Sequence, residues 1–580
     1  MPIHQQFSSR WLTAILANVC LLISCQPRQK PAETLPTSIV VCGTAPTDKA
    51  WYSSGKRALL FDGLGNINFP ITTTSSDAQR YVNQGLMLAV GFNHAEAARS
   101  FYEATRLDST CAMAYWGFSY VLGPNYNAGM EPDNYERAYV AVQRAIRLSA
   151  NCTDKEKALI NALAKRYPAK PVNDRKPYDL AYANAIKQVH ERFPDDADIA
   201  GFYAESLMDL HPWDLWEKDG RPKSWTPAIV AALEKLMVRN PDHIALNHYY
   251  IHAVEASQTP ERGLKSAAVL GKVAPKASHL VHMPSHIYIR TGDYHKGSVA
   301  NQQAVRVDSN YLMSAHAQGA FPLVYFPHNY HLLVATATLE GNYNWAMSSA
   351  RKVADNTNKT LMAEPAWCFL QHFYTVPYHV AIKFAQWDEL LRMSKADTVQ
   401  LAYPTAIRHY ARGLALVNRQ QIPQAKLALN QLDKLTTNPA MTKLTIGPVN
   451  SMHSILEIAR RVLRAEILAK EGHLDDSINL LREAVALEDA LGYNEPPDWF
   501  FSLRHNLGAV LLKAKRYSDA EAVFADDLAV FPRNGWALSG LYQAQAGQGF
   551  TSKAQQTQVL LTQARKWADK DLQSGRVNAD

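Results

Sequence analysis

At 580 residues the chain exceeds what one compact core organises, so it is either several domains or one elongated repeat array. Apolar residues make up 47% and charged residues 19%, with 27 Gly and 30 Pro, a balance that excludes a disordered chain. The net charge of +7, from 60 basic against 53 acidic residues without long runs of one sign, is too mild to call for nucleic acid or an anionic membrane surface as partner.

Arg10 precedes an apolar run from Trp11 to Ile23, and Ser24, Cys25 and the polar Gln26, Pro27 and Arg28 follow, which is the layout of a secretory signal peptide. The run is short of the ~20 apolar residues that a membrane span needs. Leu22-Ile23-Ser24-Cys25 resembles a bacterial lipobox; the resemblance implies a signal peptide over 1–24, cleavage before Cys25 and lipidation of its thiol. Cleavage elsewhere, or a short anchor that is never removed, are the alternatives. Either way the chain is expected outside the cytoplasm with the anchor as its membrane contact, and Gln26 in place of an acidic residue favours the periplasmic face of the outer membrane. Residues 25–77, rich in Pro, Ser and Thr, read as a tether and cap. Cys42, Cys111, Cys152 and Cys368 match no zinc spacing. Cys111 and Cys152 sit at equivalent places in neighbouring helix pairs, where helices about 8–10 Å apart leave a disulfide out of reach.

From residue 78 onward a spacing of small and aromatic residues recurs. Gly85, Ala97, Phe101 and Ala104 give it first, and Leu507, Gly508, Leu511, Tyr517, Ala520, Phe524 and Pro532, followed by Trp536, Gly540 and Ala544, give it almost complete. Gly292, Tyr294 and Ala304, Gly341 and Ala346, Trp387 and Leu390, Gly413 and Ala425, and Gly472 and Ala484 fit the same register. The pattern resembles the tetratricopeptide repeat (TPR), in which small residues let paired helices approach and an aromatic ring fills the space between them. The fold expected is therefore all-α, a right-handed TPR-type α-solenoid of roughly ten helix-turn-helix repeats. It divides into N-terminal repeats over 78–165, a central histidine-rich part over 166–395, and C-terminal repeats with a cap over 396–580. Insertions fall at Pro124–Asp133, Tyr167–Tyr178 and Pro212–Pro227, the last holding Trp213, Trp216 and Trp225, a loop expected to pack down over the groove.

No Gly-rich phosphate loop, G-x-S-x-G elbow or H-E-x-x-H helix occurs in the sequence. Histidine is the residue that is unevenly placed. TPR resemblance implies that the first helix of each pair lines a concave groove with its second, fifth, ninth, twelfth and thirteenth residues. In that register His248 and His252 take the fifth and ninth positions and Glu255 the twelfth; His279, His282 and His286 take the second, fifth and ninth with Arg290 at the thirteenth; His328 and His331 take the second and fifth; His372 and His379 take the second and ninth. Residues so spaced share an arc of about 60° on a helix. Neutral imidazoles with a carboxylate suit Zn²⁺, Cu²⁺ or Fe²⁺, so these residues are a candidate transition-metal site. Ordinary hydrogen-bonded packing of each ring, and an anionic ligand held by the histidines and Arg290, compete with it. Two nitrogens and a carboxylate from His248, His252 and Glu255 would also suit non-haem iron, although three donors on one helix surround an ion poorly. Tyr249 and Tyr288 flank the histidines as candidate contacts to a ligand in the groove.

Several segments, among them Phe92–Leu107 (FNHAEAARSFYEATRL), Asn247–Glu255 (NHYYIHAVE), His282–Arg290 (HMPSHIYIR) and Asn534–Leu541 (NGWALSGL), resemble a family of bacterial exported TPR proteins. This resemblance implies fold and export and leaves the purpose of the groove open. Three functions fit: a tethered solenoid binding a metal ion or small ligand, a scaffold gripping a partner protein or peptide without metal, and a metal-dependent enzyme in which a Tyr or Glu255 moves protons.

Overall fold

A computed structural model describes residues 49–572 apart from 316, 318–320, 448 and 571. The expected signal peptide, Cys25 and the tether as far as residue 48 lie outside the described residues. Among these residues no helix is long and apolar enough to cross a membrane, and the sole sheet is a two-residue antiparallel hairpin pairing Thr445–Ile446 with Asn450–Ser451.

Twelve successive helix pairs make an all-α solenoid of TPR type, from Ser76–Val90 with His94–Leu107 to Gly535–Gly547 with Thr551–Ala564. The packing that the spacing encodes is visible at both ends. Phe101 is fully buried between Gly85 and Gly117, where an added Cβ would stand 2.7 and 2.1 Å from its ring. Phe524 lies likewise between Gly508 and Gly540, at 2.3 and 2.1 Å. Each ring thus fills the hole left by a missing side chain on the first helix of its own pair and of the next.

Eight of the pairs are closed by the same short turn. A residue in the left-handed region ends the first helix, and the next amide donates five residues back, as in Asn93 N to Leu88 O at 2.9 Å, Gln386 N to Ala381 O at 2.8 Å and Arg516 N to Leu511 O at 2.9 Å, the 6→1 bond of a Schellman motif. Gly292, Gly341, Gly472 and Gly549 fill the left-handed position in four turns, but Phe92, Ala385, Gln420 and Lys515 fill it in the others. Pairs beginning at Ala112, Asp154, Ala197 and Ile244 are joined by longer loops and lack this signal, which is why about ten were expected and twelve are present.

The tryptophan loop is pinned by its own indoles: Trp216 Nε1 donates to Ala253 O at 2.9 Å, Trp225 Nε1 to Asp214 O at 2.8 Å, and Trp213 Nε1 to Asn127 Oδ1 at 3.2 Å. Residues 54–75, within the segment expected as tether and cap, form a strap laid on the first pairs. Phe69 is fully buried and stacks on Trp116, and Phe61 N donates to Gln84 Oε1 at 2.7 Å. The last pairs return to the centre, with Trp536 Nε1 donating to Thr338 O at 2.9 Å and Trp567 stacked on His295 at 3.7 Å. A segment between Asp489 and Arg504 enters the groove, bringing Tyr493 to Arg290, Phe500 to His331 and Trp499 to His379. The central groove is therefore filled rather than open, and its histidines are buried except His328, which is partly exposed.

Candidate metal centre

Four first helices carry the histidines: Ile244–Val254, the broken helix Ser278–His282 with Pro284–Thr291, Phe326–Leu339 and Leu370–Lys383. Pro284 removes an amide donor, and the break at Met283 lies between His282 and His286 without separating their rings, whose centroids are 4.7 Å apart.

Two trios form. His248, His252 and His279 bring one nitrogen each to within 4.8 Å of one another, and so do His282, His286 and His328. Each trio takes the fifth and ninth positions of one helix and the second position of the next. His248 Nε2 lies 3.1 Å from His279 Nε2, while His282 Nε2 lies 2.8 Å from His286 Nε2 and 3.1 Å from His328 Nε2. Three nitrogens around a tetrahedral ion at its usual bond length would be about 3.3 Å apart; the two 3.1 Å pairs are close to that spacing, the 2.8 Å pair is about half an ångström short of it, and the remaining pairs lie within 4.8 Å. The trios adjoin: His279 and His282 have centroids 5.7 Å apart, as do His252 and His286.

Outer hydrogen bonds set the tautomers. Glu255, expected as a ligand, belongs to neither trio; it lies between them, accepting from His252 Nδ1 at 2.8 Å and from His286 Nδ1 with its other oxygen. At three residues after His252 its carboxylate meets the near nitrogen of that ring, which leaves Nε2 facing inward. His282 Nδ1 donates to Asn301 Oδ1 at 2.7 Å, an amide orientation fixed because Asn301 Nδ2 donates to Gly297 O at 2.9 Å. With the proton held on Nδ1, the Nε2 atoms of His252, His282 and His286 are bare lone pairs. His252 Nε2 is buried with no hydrogen-bond partner.

Burial disfavours the charged form of five of the six rings. It pushes His248, His279 and His282 well below the ordinary imidazole range, with neighbouring histidines adding to the effect, and takes His328 down to about 3. His252 is lowered by burial against the pull of Glu255. For His286 the carboxylate outweighs burial and the ring is raised, while burial of Glu255 is outweighed by His286 and His252, which bring it to about 2. Neutral imidazole is the metal-binding form.

His331, His372 and His379 do not join the trios. By the same rule a third set would need a histidine at the ninth position of Phe326–Leu339, where Ala335 stands. His331 faces His372 at 5.9 Å and His372 faces His379 at 6.0 Å between ring centroids; His372 Nδ1 meets Tyr403 Oη at 2.9 Å, and the Nε2 atoms of all three rings are buried without partners.

The expected groove contacts are otherwise employed. Arg290 Nη1 donates to Glu255 O at 2.9 Å, closing the end of the preceding helix, and its guanidinium lies 5.6 Å from the Tyr493 ring. Tyr249 is buried against Phe92, and Tyr288 is half-buried beside Lys296 on the outer side. Sequence reasoning missed Asn301, which lies on a second helix, and the ring wall of the first trio: Phe92 at 4.7 Å from His248 and 5.1 Å from His279, and Tyr126 and Trp213 at 5.2 and 5.8 Å from His252. The left-handed backbone of Phe92 at φ 55 is uncommon for a bulky residue and was a signal only once the turn was known.

No protein-family model matches the sequence, and no curated protein matches it. Among solved structures, the human IFIT1 dimer with m7Gppp-AAAA is similar at 13% identity over 85% of this chain and 91% of that one, with a TM-score of 0.31. The TPR domain of P58(IPK) is similar at 12% identity over 85% of this chain and 100% of that one, TM-score 0.22. Cut9–Hcn1, the APC/C hetero-tetramer, is similar at 12% identity over 83% and 79%, TM-score 0.31.

Proposed function

We propose that this protein binds two transition-metal ions side by side, one in each histidine trio. The observation that carries this is the convergence of bare nitrogens: His282 Nε2 and His286 Nε2 lie 2.8 Å apart with both protons committed to Nδ1 partners. Two lone pairs at that distance repel unless a cation lies between them. A proton bridges two nitrogens, not three, and His328 Nε2 is also 3.1 Å from His282 Nε2. A divalent ion satisfies all three at once.

Three neutral nitrogens and no carboxylate per ion suit Cu or Zn better than Mg, Mn or Ca. Three protein donors also leave a coordination position for water or a ligand, as in catalytic rather than closed structural sites. The TPR-type scaffold supplies the rigid helix faces on which such a set is held. The N-terminal run and Cys25 support placing this centre on a lipid-anchored protein outside the cytoplasm.

Metal analysis of protein prepared without a His tag tests the reading. Two equivalents per chain are expected, and one in His282→Ala with His286→Ala. Absence of stoichiometric metal after exposure to Cu²⁺ and Zn²⁺ would refute it.

A further inference from the structure

A cavity of about 440 Å³ leads inward beside the first trio. Exposed Asp62, Lys276 and Ser314 line its outer part, and buried His279 lines its inner part. It therefore joins solvent to a ring of the first trio, whose three histidines are buried. Leu60 and Phe61 of the strap form one wall. Phe61 meets Tyr311 edge to face at 5.7 Å, and Tyr311 meets Phe321 at 5.1 Å. The Tyr311 hydroxyl is engaged with Glu96 Oε2 at 3.0 Å, so this ring also offers the cavity an aromatic surface.

His248 and His279 face each other through Nε2, and each has its Nδ1 buried without a hydrogen-bond partner, whereas the Nδ1 atoms of His252, His282 and His286 all have acceptors. Of the two, His279 lines the cavity. A ring ligating through Nε2 carries its proton on Nδ1, and that proton needs an acceptor. Among the described residues none stands there. Among the described residues the two charged groups on the cavity, Asp62 and Lys276, are opposite in sign and both exposed.

We propose that the cavity takes a small uncharged aromatic molecule bearing a hydroxyl or carbonyl oxygen, a phenol-like ring seated against Phe61, Tyr311 and Phe321 with its oxygen accepting from His279 Nδ1. The volume suits one or two rings. The tautomer of His279 rests on the two-ion reading above; the aromatic walls do not.

Calorimetric titration of the full chain loaded with Zn²⁺ tests this, with phenol as the probe and toluene as the oxygen-free comparison. Phenol is expected to bind one to one and at least ten-fold more tightly than toluene. Leu60→Trp and Ser314→Trp, which narrow the outer part, should each weaken phenol at least ten-fold while leaving metal content unchanged. No phenol binding to metal-loaded protein, equal affinity for toluene, or indifference to both tryptophans would overturn the assignment and leave the two-ion reading standing. Should the chain take up no metal, the two-ion reading fails by itself; phenol binding to metal-free protein that both tryptophans block would still support the cavity, and its absence would overturn that too.

Discussion

Replacing Glu255 with Gln probes the feature that ties the two trios together. The side chain is buried, and its two oxygens accept from His252 Nδ1 and His286 Nδ1. A carboxamide keeps the shape but offers one acceptor and one donor, so one of the two rings faces an N–H it cannot donate to and must turn over or lose its proton position. Loss of such an outer partner costs 10–100-fold in metal affinity, or about 1.4–2.7 kcal/mol. Because Glu255 touches one ring of each trio, both ions should weaken together. In metal-free protein the carboxylate, depressed from 4.5 to about 2, contributes on the order of 3 kcal/mol of stability at neutral pH. That contribution is present above the unfolded pKa and is lost as pH falls through the folded one. Competition with a chelating dye at pH 7 reads the affinities, and urea unfolding reads the stability. Selective loss of one ion, or unchanged affinity for both, would refute the placement of Glu255 between the sites.

Asn301→Leu should weaken only the ion held by His282, His286 and His328, again by 10–100-fold, because Asn301 holds His282 alone; a two-site dye competition distinguishes this from the Glu255 result. Metal-free protein should lose stability as pH falls from 7 to 5. His328 and His372 have folded pKa values of about 3 and His379 about 4, so the unfolded chain binds more protons below 6.5, costing about 1.4 kcal/mol per ring at pH 5.5; urea midpoints across that range check it, and a flat profile would contradict the buried neutral rings. Gly540→Ala should destabilise by about 1–3 kcal/mol, since the new Cβ would stand 2.1 Å from the Phe524 ring, measured as a lower urea midpoint with native helix content.

Much of the fold was legible because small residues stand opposite an aromatic ring, as at Gly85, Phe101 and Gly117 and again at Gly508, Phe524 and Gly540. Pairs with long connections lack the short-turn signal, and their pairing is seen in the packing. The histidine faces were legible for a similar reason: four-residue spacing put His248 with His252 and His282 with His286. The division of the nine rings was not. His279 turns back to the preceding helix while His282 turns forward to His328, and Ala335 interrupts what would have been a third set. Equally hidden was the closure of the groove, since Phe92, Trp213 and Phe500 reach the histidines from turns and insertions far away in sequence. Glu255 was legible as a participant but not as a partner of ring protons, a distinction made by which nitrogen its carboxylate reaches.

Anomalous diffraction from crystals of metal-loaded protein, recorded at the metal edge, tests the central claim most directly. Two peaks are predicted, one bounded by His248, His252 and His279 and the other by His282, His286 and His328, each about 2.0 Å from three imidazole nitrogens. Peaks confined to other residues, or no peak at either trio, would contradict it.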